Sequence, residues 1–364
     1  MKTRILFVHP SNEMYGADKV LLELVDALPA DYEANVWLPL DVHYAGDELR
    51  LELAKRKIDV DFVDLPVLRR SYMNLLGLLA LLPRFLKTAR RLRMERFELL
   101  YINTSALALL APLSRLLGRP AVVHLHEYLA GVTRRILQLP LSCASEIVCV
   151  SEAVRDALPG SAKLKSKVVY NGFDLLPAKT QPSAGKLVFV LASRWNTWKG
   201  HQTLLEAWGN LQRQDVELRI YGGPPEIGDS VDVVGMVSEL ANKESVRICG
   251  QVRDISDALT GCHVVLVPST NPDPLPTIAL EAAASGRAVV ASRSGGLTEI
   301  VSDGETGWLV SPGNPREWTE RIESLSIAEV LAAGRRARSR FDGRFNQAAF
   351  AKNMAGIYAK HANR

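Results

Sequence analysis

The sequence has no long apolar run. Its longest, 75–82, is interrupted by Gly77 and closed by Pro83, well short of the roughly 20 residues that span a bilayer, so no transmembrane helix is expected. The first apolar stretch, 5–8, is too short for the core of a secretory leader; it reads as a strand, and the expected location is cytoplasmic. Cysteine is scarce. Cys143, Cys149, Cys249 and Cys262 show neither CxxC nor zinc-ligand spacing, and each sits in apolar sequence. That excludes a disulfide framework and a structural zinc site, and predicts buried thiols in a reducing compartment. A net charge of +4 over 364 residues, without a nucleic-acid-binding module, excludes nucleic acid as an expected partner. What is present is ample core material: 47% hydrophobic residues at a mean hydropathy of +0.02, enough for two domains of ordinary size.

Apolar runs recur at 5–8, 34–38, 60–63, 99–103, 122–125 and 147–150, separated by helical patterns. Such alternation predicts a parallel sheet covered on both faces, with ligands at the carboxyl ends of its strands. A turn signal, Asn171 and Gly172, closes this half at about 176, and the Pro-, Ser- and Gly-rich stretch 177–186 reads as a linker. A second alternating unit, 187–344, begins with the apolar run Leu187–Ala192. A final segment, 345–364, has helical spacing in Phe345, Ala349, Phe350, Met354 and Ile357.

Several loops carry chemistry. The run Val264–Val267 suits a strand buried on both faces; the polar segment 273–281, DPLPTIALE, follows it and turns into a helix at Thr277 with Pro276 just outside the first turn. Unpaired backbone N–H groups at that helix start, around Thr277 and Ile278, favour a phosphate, and the carboxylates of Asp273 and Glu281 suit paired sugar hydroxyls. After the 187–192 strand come Arg194 and Lys199, a guanidinium fork and a mobile ammonium fit to neutralise a diphosphate. In the first half, strand ends carry Asn103, then His126 and Glu127, then Ser151 as a helix N-cap. His126 is favoured over His124 because it emerges where the strand ends. Gly16 opens a strand-loop-helix unit and reads either as a close approach for a ligand or as a plain turn.

Two stretches point to other partners. Asp59 and Asp61 match an Asp-x-Asp metal motif in form, but alternation in a strand explains them as solvent-facing acids, and no metal is expected. Residues 72–96 combine Leu75, Leu76, Leu78, Leu79, Leu81, Leu82 and Phe85 with Arg84, Lys87, Arg90, Arg91, Arg93 and Arg96, with Glu95 the sole acid from 84 to 96, a local balance of +5. This is either an arginine-rich solvated helix or a segment that lies on an anionic membrane.

The acids eight apart at Asp273 and Glu281, together with Arg194, Lys199 and the Gly295-Gly296 loop, resemble the retaining glycosyltransferases of family 4. Four features depart from the family pattern: Asp273 stands where glutamate is usual, Pro274, Leu275 and Pro276 replace Gly-Phe-Gly, Ser193 stands where glycine is usual, and Ala17 replaces the second glycine after Gly16. The resemblance implies an α/β GT-B fold, with two Rossmann-like domains whose parallel sheets face a central cleft and a C-terminal helix that returns to the N-terminal, acceptor-binding domain. It implies transfer of a hexose or deoxyhexose from a nucleoside-diphosphate sugar to a glycan or lipid-linked hydroxyl, with no cofactor, in cell-surface polysaccharide or glycolipid synthesis at the inner face of a membrane. By that resemblance Arg194 and Lys199 receive the diphosphate, Asp273 and His126 meet the transferred sugar, and Glu281 holds the ribose. Pro276, Thr277, Ile278, Gly16, Gly250 and Val252 border the donor, and Asn103 and Glu127 the acceptor. A nucleotide-sugar epimerase of the same fold, or a silent nucleotide-sugar binder, are the competing readings.

Overall fold

In a computed structural model, which describes residues 2–14, 16–42, 46–69, 72, 74–172, 185–225, 229–252 and 254–362, the strand-helix alternation becomes two parallel sheets in two compact units. One unit is Met1–Phe173 with Gln347–Arg364, the other Asp174–Asn346. Of the segment 177–186 expected to link them, 177–184 lie outside the described residues.

The first unit's strands are β1 (Thr3–Val8), β2 (Tyr32–Pro39), β3 (Asp59–Val63), β4 (Leu99–Asn103), β5 (Ala121–Leu125), β6 (Glu146–Cys149) and β7 (Ser166–Val168), in the order β3-β2-β1-β4-β5-β6-β7. Ile5 to Val8 are wholly buried in β1 because helices cover both faces. Helix α1 (Gly16–Asp26) turns Val20, Leu21, Leu24 and Val25 inward at helical spacing. The strand order reverses between β1 and β4, so the loops that leave those two strands diverge and open a crevice at their carboxyl ends.

The C-terminal helix Gln347–Ala362 completes this unit rather than the one that precedes it in sequence. It buries Phe350, Met354, Ile357 and Tyr358 in the core around Phe7 and Tyr101, each contributing roughly 1.5–3 kcal/mol. Tyr358 Oη donates to the Leu24 carbonyl at 3.0 Å, and Glu146 accepts from His361 Nε2 at 2.6 Å and Lys360 Nζ at 3.0 Å. Phe345, grouped with this helix by spacing alone, instead closes the helix Ile327–Arg344, its N–H donating to the Phe341 carbonyl.

Within 72–96 lie helices α2 (Leu75–Ala80) and α3 (Leu82–Met94). Half of the six cations counted there are committed within the unit: Arg84 pairs with Asp41 and Asp64, Lys87 with Asp64, and Arg91 with Asp61. The arginine-rich face is therefore less charged outward than its sequence suggests. Leu76, Leu79, Leu82 and Leu86 nonetheless stand exposed, at 79, 57, 51 and 60%. Among the described residues no helix is long and apolar enough to cross a membrane.

The second unit's strands are β8 (Leu187–Ala192), β9 (Val216–Tyr221), β10 (Val246–Gly250), β11 (Val264–Val267), β12 (Ala288–Ser292) and β13 (Gly307–Val310), ordered β10-β9-β8-β11-β12-β13. Helix α4 (His201–Gly209) follows β8 and packs Trp208 edge-on against Phe189, with ring centroids 5.5 Å apart. Helix α5 (Thr277–Ala284) follows β11, and here the order reverses between β8 and β11. The expectation of four buried thiols is corrected: Cys149 and Cys262 are buried, Cys143 is intermediate and Cys249 is exposed. The last lies on β10, an edge strand with only one neighbour.

Candidate functional site

At the reversal point of the second unit, three loops are drawn together by close backbone contacts. The loop after β8 ends in a 3-10 turn, Thr197–Lys199, and then Gly200 at φ 78°. A Cβ on Gly200 would lie 1.8 Å from the Pro268 carbonyl oxygen, so only glycine allows the loop to sit on the end of β11. Thr270 then donates from its N–H and its hydroxyl to the Trp198 carbonyl, at 2.8 and 3.2 Å. From β12's side, Gly296 N–H donates to the Asp273 carbonyl at 2.9 Å, and a Cβ there would meet the Pro274 oxygen at 2.1 Å.

These contacts bring Lys199 Nζ to 2.7 Å from Asp273 Oδ2, with the ammonium 4.0 Å from the centre of the Trp198 ring. The two side chains are only 20% and 9% exposed. A carboxylate so nearly buried needs a partner, and Lys199 supplies it while keeping further N–H donors. His201, first in α4, adds no charge: burial, with Lys199 nearby, pushes it down to about 4. Arg194 is exposed on the same loop.

Helix α5 begins beside this pair. Pro276, its N-cap, is buried and offers no side-chain cap, so the helix start keeps its positive pole for a ligand. Thr277, Ile278 and Glu281 are partly exposed along it. Gly250 and Val252 lie at the end of β10, two strands from β8.

The reversal point of the first unit is built differently. His9, at the end of β1, and Asn103, at the end of β4, are wholly buried and bonded to each other, Asn103 Nδ2 to His9 Nδ1 at 2.9 Å. His9 Nε2 lies 2.8 Å from Asp18 Oδ1, and Ser11 Oγ donates to the same oxygen. His126 Nε2 lies 2.7 Å from Asn103 Oδ1. Glu127 accepts from Ser105 N–H at 3.0 Å, from the Ser105 hydroxyl, and from His126 N–H at 3.1 Å. Burial raises the Glu127 carboxyl against the pull of those hydrogen bonds. Burial, reinforced by His9 and opposed by Asp18, pushes His126 down to about 3, so it is a neutral imidazole. Thr104, next to Asn103, holds a strained φ of 113°.

The structure thus unites Lys199 with Asp273, and His126 with Asn103 and Glu127. Of the residues expected to border an acceptor, Asn103 donates both amide hydrogens to neighbours and accepts from His126, and Glu127 clamps the end of β5. Gly16, read either as a close approach for a ligand or as a plain turn, is the first residue of α1, and the space around it is open: a Cβ there would meet nothing within 4 Å. Asp61 of the Asp-x-Asp pattern pairs with Arg91 at 3.2 Å. Missed were His9 and Asp18. The strand-end rule that picked out His126 applies equally to His9, directly after Val8.

Comparisons with known proteins identify the family and the fold. A family model for "Glycosyltransferase Family 4" matches residues 14–175, and one for "Glycosyl transferases group 1" matches 185–327. A D-inositol 3-phosphate glycosyltransferase of Corynebacterium kroppenstedtii is 31% identical over 181 residues, 47% of this chain and 40% of that protein, so the chain spans less than half of that relative's length. An alpha-maltose-1-phosphate synthase of Mycobacterium tuberculosis is 32% identical over 275 residues, 64% of this chain and 68% of the relative. The crystal structure of Anabaena Alr3699/HepE in complex with UDP superposes with a TM-score of 0.83 at 26% identity, covering 99% of this chain and 100% of that one. Its complex with UDP-glucose gives 0.81 at 25% identity, covering 98% and 99%.

Proposed function

Because the chain belongs to glycosyltransferase family 4, we propose that it is a retaining, metal-independent enzyme that moves a hexose or deoxyhexose from a nucleoside-diphosphate sugar to a hydroxyl of a glycan or lipid-linked acceptor. The observation that carries this reading is the Lys199–Asp273 pair, 2.7 Å apart, beside the uncapped start of α5. Lys199, Arg194 and the N–H groups of Thr277 and Ile278 receive the diphosphate as it departs. Fixed positive charge where negative charge develops is the largest catalytic lever available to them. Asp273, neutralised by Lys199, faces the sugar hydroxyls without repelling the diphosphate, Glu281 holds the ribose, and His126 accepts a hydrogen bond from the transferred sugar. The acceptor hydroxyl attacks from the face the diphosphate leaves and passes its proton to a diphosphate oxygen, which keeps the anomeric configuration.

The UDP-glucose named in the Anabaena complex makes a UDP-hexose the first donor to test. Thermal unfolding of the full chain should shift upward with UDP and with UDP-glucose, equally in EDTA and in magnesium. No shift with any nucleoside diphosphate would reject the reading, and a shift that needs magnesium would reject metal independence.

The exposed leucines of α2 and α3, followed by exposed Arg90 and Arg93, favour the lipid-linked acceptor. An apolar face with a basic end suits an anionic bilayer surface. Co-sedimentation with vesicles containing anionic lipid, lost on replacing Leu76, Leu79 and Leu86 by serine, is the expected outcome; equal binding by that variant would remove the lipid argument.

A further inference from the structure

In the network that joins β1 to β4, one contact decides the direction of all the others. Asn103 Nδ2 lies 3.0 Å from the Ala17 carbonyl oxygen. That oxygen only accepts, so the amide nitrogen faces it and the amide oxygen faces away. The same nitrogen donates its other hydrogen to His9 Nδ1 at 2.9 Å, which must therefore carry a lone pair. A neutral imidazole has one N–H, so the His9 proton is on Nε2, aimed at Asp18 Oδ1 2.8 Å away. Asp18 is in the first turn of α1, where the helix dipole favours a carboxylate. On the other side, Asn103 Oδ1 is an acceptor 2.7 Å from His126 Nε2, and so His126 holds its proton on Nε2. Every donor points the same way, from His126 through Asn103 and His9 to Asp18, the arrangement in which successive bonds polarise one another.

His9 and His124 are wholly buried, whereas His126 keeps some exposure. We infer that Asp18, His9 and Asn103 are positioning residues that hold His126 as its Nε2–H tautomer and make Nδ1 a fixed acceptor for a substrate hydroxyl. The tautomer stands on geometry alone; its use toward a sugar hydroxyl rests on the function proposed above. Because His126 is neutral, its Nδ1 lone pair is present throughout the physiological range. Asp18 acts on substrate only through two intervening side chains, so its loss is expected to change turnover through proton placement and not through contact.

The test reads the tautomer directly. In the full chain labelled with ¹⁵N-histidine, the His126 signal is assigned by its disappearance in His126→Gln. At pH 7 it should show a protonated Nε2 and a lone-pair Nδ1. Asp18→Asn removes the charge at the end of the chain and offers His9 Nε2 an amide N–H; donation then reverses only where Asn103 flips and gives up the Ala17 carbonyl, so the His126 signal should become a mixture of the two tautomers, and kcat/KM should fall roughly 10–100-fold. His9→Gln can accept from Asn103 and donate to Asp18 as the imidazole does. It should keep the wild-type His126 signature and exceed His9→Leu in kcat by about tenfold or more. A wild-type His126 protonated on Nδ1, or a His126 tautomer unmoved by both Asp18→Asn and His9→Leu, overturns the inference. Since the tautomer is read without donor, a chain that transfers no sugar would count against the proposed function and leave this result standing.

Discussion

Both sheets reverse their strand order after β1 or β8, and both crevices that result are lined by the residues that end those strands, yet the two are made of opposite materials. The second unit's crevice has a charged pair, an exposed arginine and a helix pole, held in place by glycines that let backbones touch. The first unit's crevice has neutral rings and an amide in a one-way chain of hydrogen bonds that ends on a carboxylate. One suits a diphosphate, which needs counter-charge; the other suits a hydroxyl, which needs an acceptor of fixed orientation. The shared topology supplies the place, and the few residues after each strand supply the chemistry.

Glycine-permitted backbone contact holds the charged crevice together, so the largest expected effect is there. Gly200→Ala adds a Cβ 1.8 Å from the Pro268 oxygen at a φ of 78°. The loop must move, at a cost of about 1–3 kcal/mol for strained backbone and with loss of the Lys199–Asp273 contact. Calorimetry should show a lowered Tm and titration no measurable UDP binding. Wild-type affinity in this variant would mean that the loop does not hold the ligand.

Lys199→Ala comes next, with ~2–4 kcal/mol of transition-state stabilisation lost, read from kcat/KM. It also strands a nearly buried carboxylate, so Tm should fall, and adding Asp273→Ala should recover Tm without recovering turnover. His126→Gln in the neutral crevice removes one uncharged hydrogen bond, worth about 0.5–1.5 kcal/mol. Should His126→Gln prove the more damaging of the two, the contrast between a charge-driven and a hydrogen-bonding crevice would be wrong.

Acid should separate the units more gently. Burial holds His126 near 3 and His124 well below its ordinary value in the first unit, against His201 near 4 in the second. Below about 6.5, where an unfolded histidine begins to charge, the unfolded state binds more protons than the folded one. Stability from these groups is therefore complete above that pH and is lost as pH falls toward 4 or 3. Hydrogen exchange between pH 7 and 4 should show protection declining faster around β1, β4 and β5 than around β8 and β11, and His126→Gln should flatten the first decline. Parallel decline in both units would break the comparison.

The parts of this architecture that could be read along the chain are those written in consecutive residues. Buried parallel strands such as β8 and β11 are unbroken apolar runs, and the start of α5 is marked by Pro276 and Thr277. β7 was not legible, being three residues with lysine at its centre on a sheet edge. Lys199 and Asp273 were both singled out but given separate tasks, since a contact across 74 positions leaves no local trace. Asn103 and His9 are 94 positions apart, so nothing along the chain showed that the amide nitrogen bonds inside the unit. Cys249 misled for a related reason: its apolar neighbours suggested a core, but an edge strand lacks the second neighbour that would cover it.

The smallest effect tests one of the positions where family expectation and this chain differ. Asp273 meets Lys199 at 2.7 Å, and its backbone is pinned by the Gly296 N–H, so Asp273→Glu pushes the carboxylate outward by about one C–C bond, roughly 1.5 Å. The longer acid either passes its lysine or intrudes on the space for sugar hydroxyls. Stability should change little, because a carboxylate still faces the ammonium, whereas the ratio of kcat/KM for UDP-glucose to that for its C4 epimer should shift severalfold, about 1 kcal/mol of discrimination. An unchanged ratio with unchanged turnover would mean that Asp273 serves only to neutralise Lys199, and that the charged crevice recognises the diphosphate and leaves the sugar to other residues.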